Sequence, residues 1–271
     1  MNHDEQRRYL IRQLLLQLPY NGGIDAQGIA VPEEEEEQKR LLRSLMNIRP
    51  PRPASPEFLA VQDAYLKEEV RREGIVDVFS LPSCPLDSRL VLFKGDITTL
   101  KADSIVNAAN SAMLGCFHPL HGCIDNIIHF KSGIQLRLYC SELMEKQGHE
   151  EAAGNAKITP AFNLPCRYIL HTVGPVVYGS VTDKDRRELA SCYRSCLELA
   201  AGNGCKSIAF CCISTGEYHF PNREAASIAV DTVREFLRAD GKIGRVIFDV
   251  FTEKDLCIYR ELLGEDRCQE K

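Results

Sequence analysis

No stretch of this 271-residue chain approaches the ~20 uninterrupted apolar residues that a membrane-spanning helix needs. The amino terminus runs Asn2, His3, Asp4, Glu5, where a secretory signal would place basic residues. A soluble cytoplasmic protein is the expectation. Positive charge is not in excess either: 33 Lys and Arg stand against 38 Asp and Glu, a net charge of -5. A general nucleic-acid binder needs a basic surface to displace counterions, so neither nucleic acid nor membrane is an expected partner. Internal repeats are absent, and the one biased tract is Glu33 to Glu37.

What is present, 44% apolar and 26% charged residues, can bury a core. The length is large for one domain and small for two, which suggests one α/β domain with an extension. Twelve cysteines scattered through a chain of this size read mostly as reduced thiols, and Cys192, Cys196, Cys211 and Cys212 as small buried hydrophobes.

Residues 1–80 form the expected helical extension. Tyr9, Leu10, Leu14 and Leu18 recur at helical spacing until the Pro19 to Gly23 segment stops them. The glutamate run, expected on a solvated face, opens a second helix carrying Leu41, Leu42, Leu45 and Met46, and a third amphipathic stretch runs from Pro56 to Arg72. Residues 81–271 alternate strands with helices. Leu90 to Phe93, Ser104 to Ala108, Tyr168 to Val173, Ser207 to Ile213 and Val246 to Phe251 read as strands buried on both faces. Ile124 to Lys146, Asp183 to Ala201, Arg223 to Ala239 and Glu253 to Leu263 read as helices. The pattern predicts a mainly parallel or mixed sheet covered on both sides, with ligands at the carboxyl ends of strands.

Three loops in that position suit a nucleotide. In Gly95-Asp96-Ile97 a carboxylate can accept from an adenine amino group or a ribose hydroxyl, although such an Asp also serves as a turn residue. Asn107-Ala108-Ala109-Asn110 offers two carboxamides to sugar hydroxyls. Ser214-Thr215-Gly216-Glu217-Tyr218-His219-Phe220-Pro221 can expose successive N–H groups to a pyrophosphate and flat rings to a sugar or base, without the lysine of a Walker loop.

Between the last two loops lies Gly115-Cys116-Phe117-His118-Pro119-Leu120-His121-Gly122-Cys123-Ile124-Asp125. Two thiols and two imidazoles within eight residues point to one zinc ion rather than a disulfide. Structural zinc sites usually close with four protein ligands, often as paired Cys-x-x-Cys units, and no such second pair exists here. Cys116, His121 and Cys123 are the assigned ligands, with a fourth position open; His118 is the competing donor that would close the site. Asp125 is a candidate proton acceptor or ribose-orienting group, or else a first-turn carboxylate favoured by the helix dipole. Neither a His-Glu-x-x-His helix nor the deaminase signature is present, and His3, His129, His149, His171 and His219 have no sequence partner.

In order and content, the three loops resemble those of macrodomains, the α/β/α modules that bind ADP-ribose, over about residues 88 to 265. Where hydrolytic members usually carry a glycine-rich run, Cys116 to Asp125 stands instead, which resembles the zinc-dependent branch associated with sirtuin-like ADP-ribosyltransferases. The resemblance implies a three-layer α/β/α fold with a mixed central sheet. It implies that Asp96 and Ile97 recognise adenine, that Asn107 and Asn110 face the distal ribose, that Ser214, Thr215, Gly216, Glu217 and Tyr218 wrap the pyrophosphate, and that Phe220 flanks the ribose. It further implies zinc beside the anomeric carbon, and removal of ADP-ribose from modified protein side chains, with a lipoyl-carrier protein as a candidate partner. The expected function is therefore a zinc-dependent protein-ADP-ribose hydrolase in which Asn110 and Asp125 orient the ribose. The rival expectation is an ADP-ribose reader whose zinc only pins the loop.

Overall fold

The computed structural model describes residues 1–18 and 29–265. Three helices come first: α1 (His3–Leu15), α2 (Glu35–Ile48) and α3 (Pro56–Glu73). Asn2 and Glu5 form a capping box on α1, and Ser55 caps α3 ahead of Pro56, whose missing N–H costs nothing at a first helical position. The five glutamates are exposed, and α2 starts among them, acidic side chains facing its positive end. Its other face buries Leu42, Leu45 and Met46 against Leu10 and Ile11 of α1 and Tyr65 of α3, in a core that also takes in Ile134. The stop expected at Pro19 to Gly23 lies outside the described residues, and α1 ends before it.

The chain then forms β1 (Val76–Asp77), β2 (Leu90–Lys94), β3 (Leu100–Lys101), β4 (Ser104–Ala109), α4 (Ile124–Ser132), α5 (Ile134–Gln147), β5 (Ala156–Pro160) and β6 (Tyr168–Val173). It continues through α6 (Asp183–Gly202), β7 (Ser207–Phe210), α7 (Asn222–Ala239), β8 (Arg245–Val250) and α8 (Glu253–Leu262). Strands β1 and β3 pair by themselves, and the main sheet has the order β2-β8-β7-β4-β6-β5. Every neighbour in it is parallel except β5, antiparallel to β6. The mixed three-layer α/β/α sheet is as expected, and β7 is buried along its whole length, as a strand covered on both faces must be. Cys192, Cys196 and Cys211 lie in its core, and Cys212 is half-buried. No helix among the described residues is long and apolar enough to cross a membrane.

Besides the short β1–β3 pair, which the sequence pattern did not announce, three elements differ from expectation. The helix read from Ile124 to Lys146 is two helices, broken at Gly133 (φ 99°). The cause is tertiary: Gln62 of α3 accepts the Ile134 amide at 3.0 Å, and a Cβ on Gly133 would meet Gln62 and Gln135 atoms at 2.6 Å. Strand β5 was not expected; it is an edge strand ending in Pro160, a place where proline is tolerated because one side of the strand forms no ladder. Strand β7 ends at Phe210, three residues early, where the chain leaves the sheet towards the Ser214 loop.

Candidate active site

Strand β4 sits at the middle of the sheet, so residues at its carboxyl end face the ligand crevice expected of open α/β sheets. Asn107, fully buried, donates through Nδ2 to Asp125 Oδ1 (2.8 Å) and to His171 Nδ1 (3.1 Å). His171 is its register neighbour on β6 and bonds Thr159 through Nε2 at 3.0 Å. Asn110, just past the strand, donates to Asp125 Oδ2 (3.2 Å) and to the Gly115 carbonyl (3.2 Å). Asp125 on α4 is thus clamped by both asparagines and 5% exposed. Burial pushes its carboxyl up to about 6, against the Asn107 bond and the positive charge of Arg137. The expectation that Asn107 faces the ribose is corrected: it lies beneath Asp125 and positions it, while Asn110 remains partly exposed.

Cys116 Sγ lies 3.7 Å from His121 Nδ1, and the Cys116, His121 and Cys123 donor atoms all lie within 4.8 Å of one another. A tetrahedral ion at ~2.3 Å from sulfur and ~2.0 Å from nitrogen would hold two such donors about 3.5 Å apart, so this donor set fits zinc. The other ring nitrogen of His121, Nε2, lies 3.5 Å from Glu217 Oε1, the carboxylate backing common behind ligating histidines. His118 stays outside the cluster, its ring edge-on to His121 at 5.5 Å between centroids. Burial, reinforced by neighbouring Cys116 and Asp125, pushes the Cys123 thiol up to about 12. Gly115 has no alternative: at φ 79°, a Cβ there would lie 2.7 Å from the buried His129 ring.

The Ser214 loop makes a tight turn in which Ser214 adopts φ 64°, with its buried hydroxyl unpartnered among the described residues. Phe220 N–H donates to the Ser214 carbonyl (2.9 Å) and His219 N–H to the Gly216 carbonyl (3.0 Å). The amides of Gly216, Glu217 and Tyr218 donate to no acceptor among the described residues, and Gly216 and Glu217 are exposed. Thr215 anchors the turn through Oγ1 to the Cys212 carbonyl (3.0 Å). Tyr218 is half-buried, and burial, then the nearby Asp125, Tyr178 and Cys123, raises its hydroxyl pKa. Phe220 differs from expectation: at 1% exposure its ring belongs to the core and leaves no face for a sugar. Ile97 is buried to the same degree, so its side chain belongs to the core beneath the Asp96 turn. Asp96 Oδ1 accepts from Thr98 N–H (2.9 Å) and Oδ2 from Lys131 Nζ (2.8 Å). Burial opposes its ionisation, but Lys131 and Thr98 outweigh it and hold the carboxyl below its usual value.

A family model for the Macro domain matches residues 106–229, from within β4 to within α7. A Treponema medium protein named protein-ADP-ribose hydrolase is 52% identical over 268 residues, 97% of this chain and 100% of that one. The chain belongs to the macrodomain family. A Staphylococcus aureus (strain MSSA476) protein of the same name is 47% identical over 239 residues, covering 88% of this macrodomain protein and 89% of its own length. The crystal structure of a Trypanosoma brucei macrodomain in complex with ADP-ribose aligns with TM-score 0.64 at 31% identity, over 82% of this chain and 95% of that one. The Treponema match spans nearly the whole chain, so the helical extension is shared as well as the sheet.

Several residues around this macrodomain's site escaped the sequence reading. His129, fully buried on α4, brings Nε2 to 3.5 Å from Asp125 Oδ1, and His171 supports Asn107; burial lowers both imidazole pKa values, that of His171 to about 3. Their only sequence signal was a histidine inside an otherwise structural element. Asp249, an acid inside the apolar β8, is buried near Asp96, and its carboxyl is pushed far above the usual range, first by burial and then by that neighbour. Arg43 of α2 also reaches the His121 carbonyl and Asn126 of α4, contacts spanning 78 and 83 positions that no local pattern announces.

Proposed function

We propose that this macrodomain hydrolyses the bond joining ADP-ribose to a modified protein side chain, with zinc held by Cys116, His121 and Cys123. The observation that carries the reading is the convergence, at the end of β4, of three soft donors with Asp125 and its two asparagine clamps. The relatives' name, protein-ADP-ribose hydrolase, and the ADP-ribose held by the Trypanosoma brucei macrodomain support it.

In this reading the partly exposed carboxylate of Asp96 receives the adenine amino group. The free amides of Gly216, Glu217 and Tyr218 take the diphosphate oxygens, as successive N–H groups in a turn do. Tyr218 covers the distal ribose on the side of Asp125. Asn110 orients a ribose hydroxyl, and Asp125, held in place by Asn107, accepts a proton at Oδ2 from that hydroxyl or from water. Hydrolysis then exchanges the bond between the anomeric carbon and the protein for one to water oxygen, the leaving side chain gaining a proton. Zinc, when bound, would supply Lewis-acid stabilisation of negative charge developing on a sugar oxygen. Thiolate ligands suit a reducing cytoplasm, and a lipoyl-carrier protein is the proposed ADP-ribosylated partner.

The test is release of ADP-ribose from an ADP-ribosylated carrier protein, with and without a chelator and with Cys123→Ala. Chelation should abolish turnover, and Cys123→Ala should lose turnover while still binding free ADP-ribose. Full activity after demonstrated zinc loss would remove the metal from the reaction. Tight binding with no release by the zinc-loaded protein on any ADP-ribosylated acceptor would make it a reader instead.

A further inference from the structure

The metal loop is held from two sides, and one side is the helical extension. Arg43 on α2 donates through Nη2 to the His121 carbonyl (2.9 Å) and through Nε and Nη2 to Asn126 Oδ1 (3.1 and 2.7 Å). Asn126 in turn donates to the His118 carbonyl at 2.9 Å, so one guanidinium ties both arms of the loop to the first turn of α4. Four residues along α2, Asn47 Oδ1 accepts the Leu120 amide at 3.1 Å. Leu120 has φ 57°, a conformation that costs a non-glycine residue roughly 1–2 kcal/mol and persists only when its surroundings impose it. Arg137 of α5 braces the loop's entry: it donates to the Leu114 carbonyl (2.7 Å), stacks 4.1 Å from the Phe117 ring centroid, and reaches the carbonyls of Met46 and Arg49 at the end of α2.

Residues 114–126 therefore take their shape from α2 as much as from the sheet. We infer that the helical extension is part of the active site, and that Arg43 is a positioning residue whose guanidinium fork sets the backbone of His121 and so places the three metal donors. The inference rests on the zinc-site reading for its consequence and on the hydrogen bonds alone for its geometry. Arg43 is partly buried, so both of its bonded acceptors are screened from competing water. Lysine could keep the charge but not the planar fork that bonds two acceptors at once.

The experiment uses the full chain with Arg43→Ala and Arg43→Lys, and two readouts. In chelated protein, amide hydrogen exchange of residues 118–126 should speed up at least about tenfold in Arg43→Ala, while α7 amides stay as in the parent. In zinc competition with a chromophoric chelator, Arg43→Ala should weaken metal binding by about 10–100-fold, the usual effect of losing a group that orients a ligand. Arg43→Lys should recover only part of both effects. Unchanged exchange in 118–126, or acceleration spread equally through α7, overturns the positioning role. Equal zinc affinity in parent and Arg43→Ala overturns its bearing on the metal. A parent protein that takes up no zinc refutes the metal reading alone, because the exchange comparison is made without metal and still decides the geometry.

Discussion

Replacing Asn107 with alanine separates two roles for this residue, ligand contact and support of Asp125. Two bonds are lost: one to the Asp125 carboxylate at 2.8 Å and one to His171 Nδ1 at 3.1 Å. A hydrogen bond to a charged acceptor contributes about 1.5–3 kcal/mol, and a buried imidazole nitrogen left unpaired costs about 1–3 kcal/mol more. Part of this is recovered, because the buried Asn107 Oδ1 has no partner and its desolvation disappears with it. The net expectation is a loss of about 2–4 kcal/mol, which in a protein of this size lowers Tm by roughly 5–15 °C. Urea denaturation of the chelated protein measures the stability, and calorimetric titration with free ADP-ribose measures the binding. The expected pattern is a large stability loss, turnover reduced because Asp125 is no longer fixed, and ADP-ribose affinity lowered by less than about fivefold. A stability change under ~0.5 kcal/mol accompanied by a tenfold loss of affinity would refute the argument and return Asn107 to the ligand-contact role.

Gly115→Ala should cost about 2–4 kcal/mol, from the positive φ and from a Cβ placed 2.7 Å from the His129 ring, and should lower zinc affinity, since the shifted segment carries Cys116; a variant as stable as the parent would show that the loop relaxes freely. Stability should also fall in acid because of His171, whose folded-state pKa lies near 3, well below that of the unfolded chain. The unfolded chain takes up the proton first, so this contribution is full above about pH 6.5 and declines from there towards pH 3; between pH 7.5 and 5 it amounts to about 2 kcal/mol. Urea midpoints across that range, compared with His171→Gln, check this, and an unchanged slope in the variant would exclude His171 as the source.

Cys116, His121 and Cys123 could be read as a site because their donors lie within eight residues, and closing so short a loop costs little entropy. The strand-ending asparagines were likewise visible, but not their division of labour. Whether Asn107 or Asn110 meets a ligand depends on what α4 lays over each, and α4 covers the first while leaving the second partly open. Ring chemistry drew attention to Phe220 and sequence position to Ile97, but the interior had taken both. Gly133 sits inside an apolar helical period and looked continuous; the break exists because Gln62, from another helix, caps the new start.

Written in the chain itself are the alternation of strands and helices, the loops at the strand ends and the cluster of Cys116, His121 and Cys123, all products of chemistry acting between near neighbours. Left to the folded molecule were the burial of Asp125 between two asparagines and His129, the retreat of Phe220 into the core, and the grip of Arg43 on the His121 backbone. Those depend on partners brought together across tens of residues, and only the packing of helical extension against sheet domain decides which side chains meet.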